Sequence, residues 1–522
     1  MWDSTIAFSA LFRAIDRTEV LLRELLGWRR AAVAFGCGGL ATLAVPPVDI
    51  FPAFIVALTF FVWQLEACAG DRRASFFLGW FFGFGYFAFG LYWIGNALLV
   101  FGERHAWMLP FSVLGLPAFL ALFMGLAAVV AGHARGRIGT ILAVSGTFAA
   151  TDWLRGHILT GLPWNLFGHV WSGADPLLQS VSIYGVYGVG FVALLSAALP
   201  AGLAGGVGKV RVASGIAAFT LIGVHWVYGE LRLAVDAQPE SGIGIRLVQA
   251  NIPQREKWAF QYRERNISAH YRLSRENRPE WVKHIIWPEM AATFYLAEDM
   301  RARQVLSGAV PKGGLLLTGA PRRAKGVHGR FNSILALNET GEIVGYYDKA
   351  HLVPFGEYVP LASWLPVDKI TEGTVGYRAG KGVKTLRLPG LPAVSLLVCY
   401  EVIFPGAVID RDDPPKVIIN LTNDAWYGVS AGPHQHFANS RVRAVEEGLP
   451  LLRAAYTGIS GAFDARGKVL GIIPLNTEGY LDLRLSSPLP EPPIYARFGD
   501  LIFTLLLGIC AFASIIASRH RV

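Results

Sequence analysis

Charge is scarce in this chain of 522 residues: 16% are Asp, Glu, Lys or Arg, against 53% that are hydrophobic. Soluble domains carry about a quarter charged residues, so this composition excludes an ordinary water-exposed fold and calls for a bilayer as part of the solvent. Cysteine is scarcer still, with four in all. Cys37, Cys68 and Cys510 fall inside apolar stretches, where a small hydrophobic side chain is the plain reading. Cys399 alone lies in the polar half, so that half closes no internal disulfide and holds one thiol to be treated as reactive. The net charge is +9, yet no long basic run with interleaved aromatics occurs, so nucleic acid is not an expected partner. No internal repeat is visible.

What the sequence does contain is a series of apolar runs. Residues 4–28 come first, apolar at Leu11, Phe12, Ile15, Leu22, Leu25 and Leu26 but interleaved with Arg13, Asp16, Arg17, Arg23 and Glu24. That alternation predicts an amphipathic helix lying on a membrane. It lacks the uninterrupted apolar core and small-residue cleavage site of a removable signal peptide. Stretches long enough to span follow near residues 31–45, 51–69, 76–101, 107–132, 138–154, 183–203, 212–228 and 498–517. Basic residues mark every second boundary: Arg29 and Arg30, Arg72 and Arg73, Arg135 and Arg137, Lys209 and Arg211, then Arg519 and Arg521. The intervening boundaries are nearly free of them, apart from Arg104 and Arg155. The positive-inside rule then predicts eight spans, both termini in the cytoplasm, and the segment before the last span on the opposite, periplasmic face. Three regions are expected: residues 1–228 with the amphipathic helix and seven spans, 229–497 as a separate domain, and 498–522 with the final span and tail.

Residues 229–497 are a different material. Short β-branched runs at 244–248, 285–287, 314–318, 333–337, 394–398 and 417–421 alternate with helical spacing at 263–277 and 298–308. This predicts a single α/β domain. One of its strands, Val394 to Val398, runs straight into Cys399, and a nucleophile at a strand end is presented where a substrate can approach. Another apolar run, Ile285-Ile286-Trp287-Pro288, ends in Glu289. Between them Tyr346-Tyr347-Asp348-Lys349 leads into His351-Leu352-Val353-Pro354-Phe355-Gly356-Glu357.

Together these elements resemble the nitrilase superfamily, whose chemistry runs on a Glu–Lys–Cys triad. Gln249-Ala250-Asn251-Ile252-Pro253-Gln254, Asn420 to Trp426 and the helix-like 435–447 add to the likeness, which covers the whole of 229–497. The resemblance implies an αββα sandwich in which Glu289 is the general base, Lys349 stabilises the oxyanion and Cys399 carries the acyl group. That assignment makes chemical sense: a thiol needs a base to become a nucleophile, and an ammonium group steadies the charge of the tetrahedral intermediate.

A nitrilase-like domain set among membrane spans is, in turn, similar to the apolipoprotein N-acyltransferase family, a likeness that extends over nearly the whole chain and includes Leu162-Pro163-Trp164. It implies a phospholipid as acyl donor, a diacylglyceryl lipoprotein as acceptor, a bacterial inner-membrane location and no cofactor. Glu357, Tyr400, Glu401, Trp258, Asn332 and Trp426 carry over as supporting or substrate-binding residues. The pair His434 and His436 lacks companion ligands of metal spacing, so no metal is expected. Glycines near 36–39 and 202–208 suit close helix packing. A membrane-anchored amidase hydrolysing a small amide is the alternative. A transporter is the least supported reading, because Glu66 shows no charge partner in the sequence. No heptad or assembly motif argues against a monomer.

Overall fold

The computed structural model describes residues 4–205, 208–235, 240–323, 326, 329–360 and 376–519. Arg521 and Gly206, used in the charge and glycine arguments above, lie outside the described residues. The chain divides into two compact units. The first comprises Met1–Tyr92, Pro110–Val235 and Arg497–Val522, and the second Trp93–Leu109 and Asp236–Ala496.

The first unit is helical. All eight expected stretches contain a helix, over Gly27–Ala41, Phe51–Ala67, Arg72–Gly90, Leu116–Ala131, Arg137–His157, Val181–Ala198, Gly208–Leu233 and Leu501–Arg519. Among the described residues, four helical runs are long and apolar enough to cross a membrane, rather than eight: Gly102–Ala131, Val181–Leu203, Gly208–Leu233 and Leu501–Arg519. On Gly208–Leu233 the faces are inverted relative to a soluble helix, whereas Val181–Leu203 is mostly buried, large apolar side chains included. Along Gly208–Leu233 the exposed large apolar side chains are Val212, Ile216, Phe219, Val224, Trp226, Val227 and Leu231, whereas Ser214, Ala218, His225 and Gly229 are buried. Large apolar groups outward and small or polar ones inward is the arrangement a hydrocarbon solvent selects. The glycines do bring helices close: a Cβ on Gly38 would overlap the Phe82 carbonyl, and one on Gly85 the Phe35 carbonyl.

Three expectations are corrected here. The amphipathic helix expected to Trp28 ends at Glu24, and the third stretch, expected to run to residue 101, stops as a helix at Gly90. Residues Trp93–Leu109 belong instead to the second unit. Hydropathy cannot distinguish an apolar side chain facing lipid from one packed on protein. Glu66 is also not alone. It pairs with Arg137 at 2.6 Å and Arg23 at 3.4 Å, and Arg137 also reaches Glu19 on the first helix. Arg155, an exception in the charge alternation, is buried and consumed by the fold. It pairs with Asp152 at 2.8 Å and donates to the carbonyls of Leu162 and Trp164 at 2.5 and 2.8 Å, tying down the Leu162–Trp164 turn. An arginine used this way carries no topological information.

The second unit stacks two six-stranded sheets. Strands β1 (Glu240–Gln249), β2 (Val282–Ile286), β3 (Leu315–Arg323), β4 (Arg330–Asn338), β5 (Ile343–Asp348) and β12 (Gly479–Ser486) form one, in the order β12-β1-β2-β3-β4-β5. The other runs β11-β10-β9-β8-β7-β6, with β6 (Thr385–Leu386), β7 (Val394–Val398), β8 (Val417–Thr422), β9 (Leu451–Ala455), β10 (Ser460–Phe463) and β11 (Val469–Ile473). Ile245, Leu247, Leu317 and Ile334 of the first sheet pack on Leu396, Val398, Ile419 and Leu452 of the second. Strands β2, β3, β7 and β8 are buried almost throughout, which is why they read as unbroken apolar runs. On the outer face of the first sheet lie helices Arg263–Arg275 and Met300–Ser307, contributing Leu273 and Leu306 to a second apolar cluster. Helix Ala431–Glu447 packs on the second sheet, started by Ser430, whose hydroxyl accepts from Gly432 N at 3.2 Å. The layers are therefore αββα.

One buried ion pair holds the edge of the first sheet. Arg246, fully buried on β1, grips both carboxylate oxygens of Asp482 on β12 at 2.7 Å and donates to the carbonyls of Leu273 and Glu276 at 2.8 and 2.6 Å. Removing one partner leaves the other buried and uncompensated. Asp482→Ala is expected to destabilise this unit by about 3–5 kcal/mol, seen as a lowered unfolding midpoint of the detergent-solubilised chain.

Candidate active site

Three strands deliver the three expected catalytic residues. Glu289 follows β2 by way of Trp287-Pro288, Lys349 follows β5, and Cys399 follows β7 on the opposite sheet. All three are buried, at 7%, 1% and 6% exposure. The stacked sheets bring positions distant in sequence within electrostatic reach of one another.

Asn332, near the start of β4, links the first two. Its Nδ2 donates to Glu289 Oε1 at 2.7 Å and to Glu357 Oε1 at 3.0 Å. The other Glu357 oxygen accepts from Lys349 Nζ at 2.8 Å and from Val353 N at 2.9 Å. A carboxylate, an amide, a second carboxylate and an ammonium are thereby held in line. Glu289 Oε2 is buried and has no hydrogen-bond partner among the described residues. A carboxylate oxygen left unpaired in a closed site is poised to take a proton. Burial alone would depress the Lys349 ammonium, but Glu357 foremost, with Glu289 and Cys399, holds it above the usual lysine range. It stays charged at any physiological pH.

Cys399 sits in a left-handed conformation, φ +52°, at the turn out of β7. Such a conformation is strained for a residue with a Cβ and recurs at functional turns. Burial pushes its thiol up to about 12; Glu289 adds to the rise, while Lys349 and a hydrogen bond with Thr422 oppose it. Resting Cys399 is therefore a thiol, not a thiolate. Removing the Glu289 charge lowers the energy of the thiolate, so Glu289→Gln should shift the Cys399 titration to lower pH. Thiolate absorbance across a pH series checks this; an unchanged or upward shift contradicts it.

Glu401 is buried on the far side of the turn. Its Oε1 accepts from Tyr347 Oη at 2.8 Å, Ala350 N at 2.7 Å and His351 N at 3.0 Å, while Oε2 accepts from Val398 N at 2.7 Å. It fastens the Lys349 loop to the Cys399 turn. Tyr400 is buried among aromatic neighbours, 5.0 Å from the Phe404 ring and 5.7 Å from His351. Trp258 and Trp426 are half-buried: Trp258 faces the Arg330 guanidinium at 5.8 Å, and Trp426 meets Phe101 edge-on at 6.4 Å.

Around His436 the groups that gather are Cys399 and Asp424, not His434. Asp424 Oδ1 contacts His436 Nδ1 at 2.9 Å and accepts from Thr422 Oγ1 at 3.0 Å, and Oδ2 accepts from Arg453 at 2.7 Å. His436 Nε2 lies 3.2 Å from the Cys399 carbonyl. Burial would raise the Asp424 carboxyl, but Arg453 and His436 outweigh it and hold it below the usual range. With a guanidinium on the carboxylate and both imidazole nitrogens engaged, this donor set is a hydrogen-bonded brace under the nucleophile rather than a metal cage.

Two groups at the site escaped the sequence. Lys257, fully buried, donates to the Glu289 carbonyl at 2.9 Å and lies 3.8 Å from the centre of the Tyr456 ring. Burial lowers its ammonium to about 7, against the pull of Glu289 and Cys399. Tyr427 has its phenol pushed up by burial and by the charges of Cys399, Asp424 and Glu289. It is held by the segment detached from the third stretch: the Trp93 ring lies 4.6 Å away and Asn96 Nδ2 donates to its carbonyl at 2.7 Å. Each neighbours a tryptophan that the sequence does flag, Trp258 and Trp426, and that adjacency was the available signal.

Comparison with known proteins agrees with both halves of the chain. Residues 37–199 match the family described as apolipoprotein N-acyltransferase N-terminal domain, and residues 244–488 match carbon-nitrogen hydrolase. An apolipoprotein N-acyltransferase from Rhodopseudomonas palustris is 37% identical over 520 residues, covering 94% of this chain and 96% of the relative. One from Allorhizobium ampelinum is 40% identical over 490 residues, covering 89% and 91%. A third, from Brucella melitensis, is 39% identical over 523 residues, covering 95% and 98%.

Proposed function

Because the chain belongs to the apolipoprotein N-acyltransferase family, we propose that it moves a fatty acyl chain from the sn-1 position of a phospholipid to the α-amino group of the diacylglyceryl-cysteine that begins an apolipoprotein. The observation that carries the chemistry is a buried thiol on a strained turn, sharing its surroundings with the unpaired oxygen of Glu289 and the ammonium of Lys349. Glu289 takes the thiol proton as sulfur attacks the ester carbonyl. Lys349 stabilises the oxyanion, the carbon–oxygen bond breaks, and Glu289 returns the proton to the departing glycerol oxygen. A thioester and a lysophospholipid result.

The acceptor arrives largely as an ammonium and loses one proton to solvent. Its amine then attacks the thioester, and the second nitrogen proton passes through Glu289 to the leaving sulfur. An amide and the free thiol are formed. The two half-reactions make a ping-pong cycle. Asn332 and Glu357 position the carboxylate and the ammonium, Glu401 and Tyr400 the nucleophile turn, and Trp258 and Trp426 line the approach to it.

The architecture proposed with this reading is eight spans, termini in the cytoplasm and residues 229–497 on the periplasmic face of the inner membrane, in a monomer. What supports it is the alternation of basic boundaries, now with Arg155 explained. Purified chain given phosphatidylethanolamine and a diacylglyceryl peptide is expected to yield lysophospholipid and N-acylated peptide in equal amounts. Ammonia release from a small amide, with no peptide acylation, would support the amidase alternative instead.

A further inference from the structure

The motif Gln249-Ala250-Asn251-Ile252-Pro253-Gln254 has no part in the chemistry described so far, and its two glutamines behave differently. Gln249 is fully engaged. Its Nε2 donates to the carbonyls of Pro474 and Thr477 at 2.8 and 2.9 Å, and its Oε1 accepts from Ser460 Oγ at 2.5 Å. It pins the 474–477 loop in place. Gln254 is 5% exposed and has one amide end on Asn423 at 2.9 Å. The other end has no hydrogen-bond partner among the described residues, and turning the amide changes only which atom that is. An amide end buried without a partner is a standing cost that a ligand can remove.

Gln254 lines a cavity of about 380 Å³ whose walls also include Asn251, Val100, Arg255, Glu256, Gly428 and Asn476. The Asn251 Oδ1 is likewise buried without a partner, on a residue at φ +48°. Arg255 clamps the Val100 wall by donating to the Val100 and Leu99 carbonyls, at 2.5 and 3.3 Å. Arg255 and Glu256 are the two charged groups of the lining and oppose one another in sign. The rest is neutral, with side-chain amides at Asn251, Gln254 and Asn476, suited to a ligand that offers hydrogen bonds without net charge.

The cavity is wired to the reactive centre. With its oxygen turned toward them, Asn423 accepts from Lys257 Nζ at 3.1 Å and Trp426 Nε1 at 3.3 Å. Asn423 directly follows Thr422, whose hydroxyl meets the Cys399 thiol. A group seated on Gln254 is thus one hydrogen-bonded residue away from the lysine on Glu289.

We propose that this cavity is the subsite for the peptide backbone of the acceptor, with the free end of Gln254 and Asn251 Oδ1 pairing with the amide groups just after the acylated cysteine. The assignment rests on the acyl-transfer reading above. With one cation, Arg255, and one anion, Glu256, the lining offers no net charge to hold a phosphodiester, whereas the amides of Asn251, Gln254 and Asn476 match successive peptide amides. Seating the backbone here leaves the α-amino group to meet the thioester while the polypeptide leaves along the 425–429 loop.

Two acceptors separate the possibilities: a diacylglyceryl-cysteinyl decapeptide and diacylglyceryl-cysteine amide, which has no backbone to offer. Gln254→Leu is expected to raise KM for the decapeptide about tenfold more than KM for the truncated acceptor, the size of one buried hydrogen bond lost. An equal change for both acceptors, or a change in KM for phosphatidylethanolamine instead, overturns the proposal. If Gln254→Leu gives no lysophospholipid burst and so fails to fold, the same ratio measured on Asn251→Ala decides. A wild-type chain that gives no burst with either acceptor would refute the acyl-transfer reading itself, a result distinct from a failed subsite.

Discussion

Cys399→Ala is expected to release no lysophospholipid and to transfer no acyl chain, a loss limited only by the detection floor. The carbon–sulfur bond is the sole store of the acyl group in the proposed cycle, so no residual pathway survives its removal. Nothing in the fold should change: the side chain is small, and its carbonyl contact with His436 is made by the backbone. Single-turnover assays with radiolabelled phospholipid measure it. Acyl transfer by the alanine variant at more than a thousandth of the wild-type rate would remove the nucleophile from the account.

Glu289→Gln has the next largest effect, and it is counter-intuitive. A thiol pushed up to about 12 by burial is protonated almost throughout at pH 7, so attack needs a base acting during the reaction. The substitution makes the thiolate easier to form at equilibrium and yet should slow thioester formation about 10²–10⁴-fold, the usual worth of general-base catalysis. The amide still accepts from Asn332, so packing is retained. Opposite movements of thiol titration and rate identify proton transfer as the function of the carboxylate. A variant that ionised more easily and also reacted faster would show Glu289 to be merely a repulsive charge.

The parts of the site legible in the sequence were those placed at strand ends. Glu289 and Cys399 each follow an apolar strand, and strands that are buried on both sides announce themselves as unbroken runs. Lys349 follows the half-exposed edge strand β5 and is found through the likeness of its Asp348-to-Glu357 motif. None of the strands between Leu451 and Ser486 was anticipated: LLRAA and SGAF carry neither alternation nor β-branched residues, whereas the β-branched VLGII and the alternating GYLDLRLS did offer a signal. Lys257 was invisible for another reason: its role comes from side-chain reach across to a carbonyl far along the chain. The same holds for Glu66, Arg137 and Glu19, charges brought together by helix packing alone. Trp93 to Phe101 was misread because an apolar run contains nothing that names its solvent.

The site also separates chemistry from scaffolding more cleanly than its motif suggests. Glu357 and Glu401 both flank the triad in sequence, but Glu357 touches Lys349 Nζ directly, whereas Glu401 spends all its bonds on the backbone and a tyrosine. Glu357 therefore acts on the charge of the lysine, and Glu401 on the position of two loops. Glu401 also feels the Lys349 charge, so a kinetic effect there would travel through loop geometry and charge together.

The central claim is a covalent one, and intact-mass spectrometry of the protein reads it directly. Chain purified with phospholipid and no acceptor should carry one fatty acyl group, labile to neutral hydroxylamine, mapped to Cys399 and removed when a diacylglyceryl peptide is added. An acyl group on any other residue, or full peptide acylation with Cys399 never modified, would contradict it.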